Sequence, residues 1–142
     1  MRYRIDYQET HDIDWFFRYK GNLYHAASNG GLLPSVIDSE RNRTIQERLE
    51  NVIGQYKVEL AKNVNDIYEH DADLTSFIEY ASKGFISLDR TEKDEAQDTE
   101  RVIIEYHVVA FPSNGNGLSD EDLLELIPEL QEEEIIIKGD VV

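Results

Sequence analysis

Two aromatic and apolar runs around a short polar turn constrain the fold of this chain most strongly. Residues 15–19 read Trp-Phe-Phe-Arg-Tyr, residues 23–27 read Leu-Tyr-His-Ala-Ala, and Lys20-Gly21-Asn22 lies between them. Short runs of this kind are typical of β-strands, and a connection that contains glycine and asparagine is typical of a hairpin. The segment 15–27 is therefore predicted to be a β-hairpin.

A second hairpin is predicted from residues 85–111. An apolar run at 85–90 and a longer one at 101–111 flank a charged segment from Glu92 to Glu100. In the longer run every second residue is apolar, which is the period of a strand with one buried face. These residues are Val102, Ile104, Tyr106, Val108 and Ala110.

Helical periodicity is strongest after residue 40. Seven apolar residues recur there at steps of three and four, which places them on one face of a helix. They are Ile45, Leu49, Val52, Ile53, Tyr56, Leu60 and Val64. The longest helix is therefore predicted near 40–62. A second helix is expected at 72–83, and a short one opens near Ser119 with a capping pattern.

These elements, with further strands predicted at 2–8 and 135–137, run in the order β-ββ-α-α-ββ-α-β. No repeating βαβ unit is visible, and hairpins dominate. The expected architecture is an α+β fold with an antiparallel or mixed sheet, built from two β-hairpins with helices packed on one face. The length of 142 residues favours a single globular domain, 1–142.

The composition excludes several classes of protein. The chain has no cysteine, which rules out disulfides and thiolate zinc sites. Neither a signal-peptide pattern nor an apolar run of membrane-spanning length is present, and a cytoplasmic protein is expected. The common nucleotide-binding, hydrolase and metalloprotease motifs are missing, so no cofactor is predicted.

The net charge of −16 is concentrated in one half of the chain. Nine Lys/Arg balance nine Asp/Glu in residues 1–62, whereas five face twenty-one in residues 63–142. Such a surface suits a basic protein partner and repels nucleic acid. The first functional hypothesis is a non-catalytic acidic interaction protein of the inhibitor or immunity type, with Glu132, Glu133 and Glu134 as candidate partner-binding residues. A surface that only confers solubility remains the alternative.

The second hypothesis is a small enzyme or anionic-ligand-binding protein with its site in the 25–43 segment. Backbone amides in a glycine-rich loop can bind an anion, and arginine side chains can bind carboxylate or phosphate through two hydrogen bonds. A serine and a histidine nearby suggest a nucleophile and its base. The candidate ligand-binding residues are His25, Ser28, Asn29, Gly30, Gly31, Arg41 and Arg43. A plain turn with locally paired arginines is the alternative.

No metal site is predicted. The four histidines, His11, His25, His70 and His107, are scattered along the chain. His25 and His107 would meet only if their strands were neighbours. The acidic segment from Glu92 to Glu100 lacks the spacing and the glycine of a calcium-binding loop.

Overall fold

The structure, a computed structural model, describes residues 1–62, 64–69, 71–91, 105–132 and 134–139. The described part has an α+β fold. Its strands are β1 (Asp14–Tyr19), β2 (Asn22–Ala27), β3 (Val58–Leu60), β4 (Ile86–Arg90), β5 (Glu105–Pro112) and β6 (Ile136–Lys138). Its helices are α1 (Ile5–Thr10), α2 (Ser39–Leu49), α3 (Val64–Ile67), α4 (Thr75–Ser82) and α5 (Glu121–Leu126).

The described strands form one mixed sheet in the order β1-β2-β4-β5, followed by β3 and β6, which both pair with β5. β1 and β2 pair antiparallel, as predicted for 15–27, and β4 and β5 also pair antiparallel. The segment that joins β4 to β5 lies outside the described residues. β2 with β4 and β5 with β6 are parallel, so the sheet is mixed rather than purely antiparallel.

The first hairpin turns through two residues with positive φ. Tyr19 pairs with Asn22, and the residues between them, Lys20 and Gly21, have φ values of 49° and 80°. Positive φ at both central positions is the geometry of the turn whose twist matches that of the flanking strands. Glycine adopts it without steric cost, which explains the sequence signal at this position.

Both faces of the sheet are buried, which explains why Trp15, Phe16 and Phe17 are fully buried although successive side chains point to opposite faces. One hydrophobic cluster contains Trp15 and Phe17, and the other contains Phe16. Phe16 packs with Ile45 and Leu49 of α2 and with Leu123 of α5. We call this side the helix face.

The opposite face is covered mostly by irregular segments rather than by helices. Leu33 and Ile37 from the segment before α2, and Leu130 and Ile135 from the segment before β6, join the cluster around Trp15. The prediction that helices pack on one face of the sheet holds for α2, α4 and α5. The sequence did not predict that the opposite face is buried as well.

The outer edge of β1 is also covered. The Arg18 amide donates to the carbonyl of Pro128 at 2.7 Å, and the Leu130 amide donates to the carbonyl of Arg18 at 2.9 Å. Nearer the start of β1, the side chains of Asn42 and Gln46 both donate to the carbonyl of Asp14. Backbone groups that an edge strand normally leaves open thus have partners here.

The strand predicted at 2–8 is wrong, because residues 5–10 form α1. Gln8 is fully buried and explains this outcome. Its Nε2 donates to the carbonyl of Tyr3 at 2.7 Å, and its Oε1 accepts from the amide of Leu33 at 2.7 Å. A polar side chain that is buried by bonding one local backbone group and one distant one is invisible to an alternation pattern.

The long helix predicted near 40–62 is also wrong, because α2 ends at Leu49. The Lys83 ammonium donates to the carbonyl of Leu49 at 2.8 Å. The chain then turns and residues 58–60 pair with β5 as β3. Ile53, which the periodicity assigned to the buried stripe, is 75% exposed. Pairing with the sheet has overridden the local helical preference.

The remaining predicted elements are present with shifted ends. The helix expected at 72–83 is α4, which ends just before Gly84 at φ 112°. The short helix expected near Ser119 is α5, and its cap is Asp120, which accepts from the Leu123 amide. The strand expected at 135–137 is β6.

Replacing Gln8 with methionine should destabilise the fold by about 1–3 kcal/mol, because the Tyr3 carbonyl and the Leu33 amide lose a buried partner. Glu9→Met is the matched control, since Glu9 is exposed on the same helix. The free energy of unfolding in urea measures both changes. Equal values for the two variants would show that Gln8 does not hold α1 in place.

Candidate functional site

A cavity of about 520 Å³ opens on the helix face, at the end of β4 and beside α3. Its polar lining comes from the three strands β4, β5 and β6, the residue after β4, the residue after α3 and the loop after β2. These residues are Asn29, Tyr68, Asp89, Arg90, Thr91, Glu105, His107 and Lys138. Ile67 adds apolar surface. A concave site with convergent polar side chains is the usual form of a ligand site.

The sheet register places the polar residues in two rows. Asp89, His107 and Lys138 are direct partners across β4, β5 and β6. In the next row, the Thr91 amide donates to the Glu105 carbonyl at 3.0 Å. Because side chains alternate along a strand, residues two apart share a face. All five side chains therefore leave the same face of the sheet.

Four of the lining side chains form a continuous hydrogen-bond chain. The Tyr68 hydroxyl lies 2.5 Å from Asp89 Oδ2 and 2.9 Å from His107 Nε2. The other ring nitrogen, Nδ1, lies 3.2 Å from Thr91 Oγ1. Asp89 Oδ1 accepts from the Arg90 amide at 3.0 Å. The chain thus runs from Thr91 through His107 and Tyr68 to Asp89.

An ionised Asp89 and a neutral His107, the form that burial favours, together fix the proton positions along this chain. A carboxylate only accepts, so the Tyr68 hydroxyl donates to it and its oxygen accepts from His107 Nε2. His107 Nδ1 then carries a lone pair and accepts from the Thr91 hydroxyl. Thr91 is left with oxygen lone pairs and no free hydrogen for the cavity.

Burial shifts the pKa values of three members of the chain. It raises the pKa of Asp89 above its ordinary value, although the hydrogen bond from Tyr68 and the nearby His107 act against it. Burial also lowers the pKa of His107, against the charges of Asp89 and Glu105. The pKa of Tyr68 is raised by burial and by Asp89, so this group remains a phenol. Shifted titratable groups in a cavity are a common mark of functional sites.

Arg90 alternates with Asp89 and Thr91, and its side chain leaves the opposite face of the sheet. Its Nη1 is buried and has no hydrogen-bond partner within the described residues. A Cβ atom added at Gly31 would lie 1.1 Å from this Nη1. Gly31 is therefore required by the close approach of the guanidinium.

The backbone amides of the predicted anion-binding loop are occupied by acceptors of the chain itself. The Asn29 amide donates to Asp12 Oδ1, the Gly30 amide to the carbonyl of His11, and the Gly31 amide to the carbonyl of Ser28. The Asp12 carboxylate stands where an anionic ligand was expected. Asn29 itself lines the cavity, and it is the predicted ligand residue that the structure brings to it.

His25 and Ser28 do not form the nucleophile and base pair that the sequence suggested. Ser28 Oγ accepts from the amide of Ile13 at 2.8 Å. His25 instead lies between Asp14 Oδ1, at 2.8 Å from Nε2, and Ser87 Oγ, at 3.1 Å from Nδ1. This set has the residue types of a serine hydrolase triad, but Ser87 is fully buried and donates to the carbonyl of Phe77. A buried hydroxyl cannot reach a substrate.

The two predicted arginines lie elsewhere on α2. Arg41 donates to the carbonyls of Leu126 and Glu125 at the end of α5, at 2.5 and 3.1 Å. Arg43 is exposed on the same helix. Arg41 thus has a structural role as a cap of α5 and does not join the glycine loop.

The predicted partner-binding run is partly engaged within the chain. Glu132 is exposed and pairs with Lys20 at 2.9 Å. Glu134 Oε1 accepts from the amide of Gln131 at 2.9 Å, which holds a local turn. Glu133 lies outside the described residues, as do His70 and the segment from Glu92 to Glu100.

A search of the described residues for groups of three or more potential metal ligands found none. His25 and His107 do not meet, because β4 separates their strands. In the same part of the chain, no helix combines the length and the apolar character that crossing a membrane requires.

Comparison of the chain with protein-family models, with curated proteins and with solved structures found no match. The site therefore has to be interpreted from its own geometry.

Sequence reasoning missed the cavity, although a weak signal exists. Asp89 and Thr91 alternate with Arg90 at the end of an apolar strand, and Glu105 and His107 flank Tyr106 in another. Polar residues at every second position mark a strand face that is not packed against apolar groups. Their meeting depends on the β4–β5 register, which the sequence does not specify.

Replacing Asp89 with asparagine should change how stability depends on pH. Because the pKa of Asp89 is raised in the folded protein, the fold holds this proton more tightly than the unfolded chain does. Ionisation therefore costs stability as pH rises from 3.8 through the raised pKa. Across this pH range we expect the free energy of unfolding of wild type to fall relative to that of Asp89→Asn. The difference between the two proteins should persist at neutral pH.

Urea titrations at successive pH values measure this difference. The groups around Asp89, namely Asp12, Tyr68, Arg90, Glu105, His107 and Lys138, are present in both proteins, so the difference reports the Asp89 carboxylate together with the effect of its charge on the pKa values of His107 and Tyr68. Asp73→Asn is the control of opposite sign, because hydrogen bonds from Thr75 lower the pKa of Asp73. If the free energies of unfolding of wild type and Asp89→Asn change in parallel with pH, the expectation is contradicted.

Proposed function

We propose that this protein is a non-catalytic binding protein of the cytoplasm that covers a basic partner protein, as an inhibitor or immunity-type protein would. The observation that carries the proposal is the excess of negative charge on the surface of the second half of the chain, where three of the exposed carboxylates of the described residues pair with a cation: Glu79 with Lys83, Asp120 with Arg48 and Glu132 with Lys20. Eleven carboxylates of its described residues are exposed, five between residues 66 and 79 and six between 120 and 132.

The basic residues of the same half do little to offset these carboxylates. Among the described residues, Lys83 is buried, where its ammonium binds the carbonyl of Leu49 and pairs with Glu79. Arg90 is half-buried against Gly31. Lys138 is exposed at the cavity. A field of one sign attracts a partner of opposite charge and accelerates its association.

Three exposed carboxylates of the acidic surface lie close in sequence to two residues that line the cavity. Asp66 and Glu69 are exposed on either side of Ile67 and Tyr68, which line the cavity, and Asp71 is exposed close by in sequence. We call Asp66, Glu69 and Asp71 the acidic rim. The rim supports a partner that approaches the cavity with positive charge. An anionic ligand, the alternative from sequence, has less support because the loop amides are occupied.

Reversing the acidic rim should slow association with the partner. The partner would be captured from the native cell extract, identified by mass spectrometry and purified. Asp66, Glu69 and Asp71 would then be changed to lysine, and we expect an association rate constant lower by about tenfold or more at low salt. Surface plasmon resonance over a range of salt concentrations measures this rate and its salt dependence.

The matched control is the change of Glu40, Glu47 and Glu50 to lysine, because these residues are exposed on α2 and at its C-cap, in the neutral half. The control variant carries the same change in net charge. An association rate that ignores salt, or that falls equally in both triple variants, would refute an interface at the acidic rim.

A further inference from the structure

The cavity offers hydrogen-bond acceptors at its centre, in the row formed by Thr91 and Glu105. The backbone hydrogen bond between them, at 3.0 Å, brings their side chains together on the helix face. Directly opposed residues on neighbouring strands have Cβ atoms about 4.5–5.5 Å apart. One donor group can therefore contact both side chains.

Both side chains accept hydrogen bonds from this group. With Asp89 ionised and His107 neutral, Tyr68 orients the chain so that the Thr91 hydroxyl donates its hydrogen to His107 Nδ1, at 3.2 Å. Its oxygen lone pairs remain available. The Glu105 carboxylate accepts only, and no ion pair to it occurs among the described residues. The complementary group is a donor that carries positive charge.

The size and the lining of the cavity accommodate a long side chain. A volume of about 520 Å³ accommodates a side chain with its alkyl stem, and Ile67 and the Tyr68 ring supply surface against which methylene groups can pack. An ammonium has three donors on a compact head that rotates freely, whereas a guanidinium presents a rigid planar fork. Acceptors on separate strands suit the ammonium.

We propose that this cavity receives the side chain of a lysine from the basic partner protein, an inference that rests on the proposed function. The lysine ammonium is held between the Glu105 carboxylate and the Thr91 hydroxyl oxygen. The methylene stem lies along Ile67 and Tyr68. Asp89 contributes negative charge behind Thr91, and the acidic rim supplies the long-range attraction. Lys138, the exposed cation of the same wall, opposes binding.

The probe is Nα-acetyl-L-lysine methylamide, titrated into the isotope-labelled full chain and followed by amide chemical shifts. We expect saturable shifts at Thr91, Glu105 and His107. The probe acetylated at Nζ has the same stem without the charge, and it should cause no saturable shift. Equal binding of the two probes would overturn the proposal.

Three substitutions separate the cavity from the general field of the protein. Glu105→Gln should weaken probe binding about tenfold, because the charge-assisted hydrogen bond becomes neutral. Glu59→Gln is the matched control, since it makes the same charge change at an exposed residue of β3 and should leave binding unchanged. Lys138→Gln should tighten binding by removing a repelling charge. Amide spectra of each variant verify the fold.

The outcomes distinguish this inference from the proposed function. Equal losses of probe binding in Glu105→Gln and Glu59→Gln would overturn the lysine site. Weaker binding in Lys138→Gln would also overturn it, by showing that Lys138 holds the probe, through an amide carbonyl, rather than repelling its ammonium. Absence of probe binding, while partner association still depends on the acidic rim, would overturn the lysine site and leave the proposed function standing. If the association rate of the partner does not depend on the acidic rim while the probe still binds, the proposed function is overturned. The partner is then also excluded as the source of the lysine.

Discussion

The rest of the structure depends on the pairing of β4. This strand has a parallel neighbour, β2, on one side and an antiparallel neighbour, β5, on the other. Parallel strands cannot be joined by a tight turn, so the chain must cross over between β2 and β4. Residues 28–85 make this connection and carry α2, α3 and α4. The same connection covers much of both sheet faces, which is how three consecutive aromatic residues of β1 come to be buried.

The helix face holds two polar groupings whose residue types are similar but whose access to solvent differs. His25 and Ser87 lie beneath α4 and are fully buried, so their hydrogen bonds can only contribute to structure. Asp89 and His107, one step further along β4 and β5, lie beyond α4 and line an open cavity. The coverage by α4 therefore decides which of the two groups of polar side chains is accessible to a ligand.

The sequence was sufficient for features that depend on local contacts. The hairpin at 15–27 follows from two apolar runs and a turn of the required conformation, and α4 follows from its period and its terminal glycine. Features that depend on distant partners were not predictable. Gln8 holds a helix where alternation suggested a strand, and the helix near 40–62 gives way to strand pairing. The cavity was missed for the same reason, because Asp89 and His107 become neighbours only through the sheet register.

The coverage of the β1 edge has a consequence for self-association. β1 is the most aromatic strand of the sheet, and an open edge with such side chains would be a template for adding strands from other molecules. The segment at Pro128–Leu130 and the amides of Asn42 and Gln46 occupy that edge. Growth of an ordered aggregate from this side would first require the segment after α5 to detach. We therefore expect fibril growth from this edge to depend on the local stability of that segment rather than on the strength of the aromatic core.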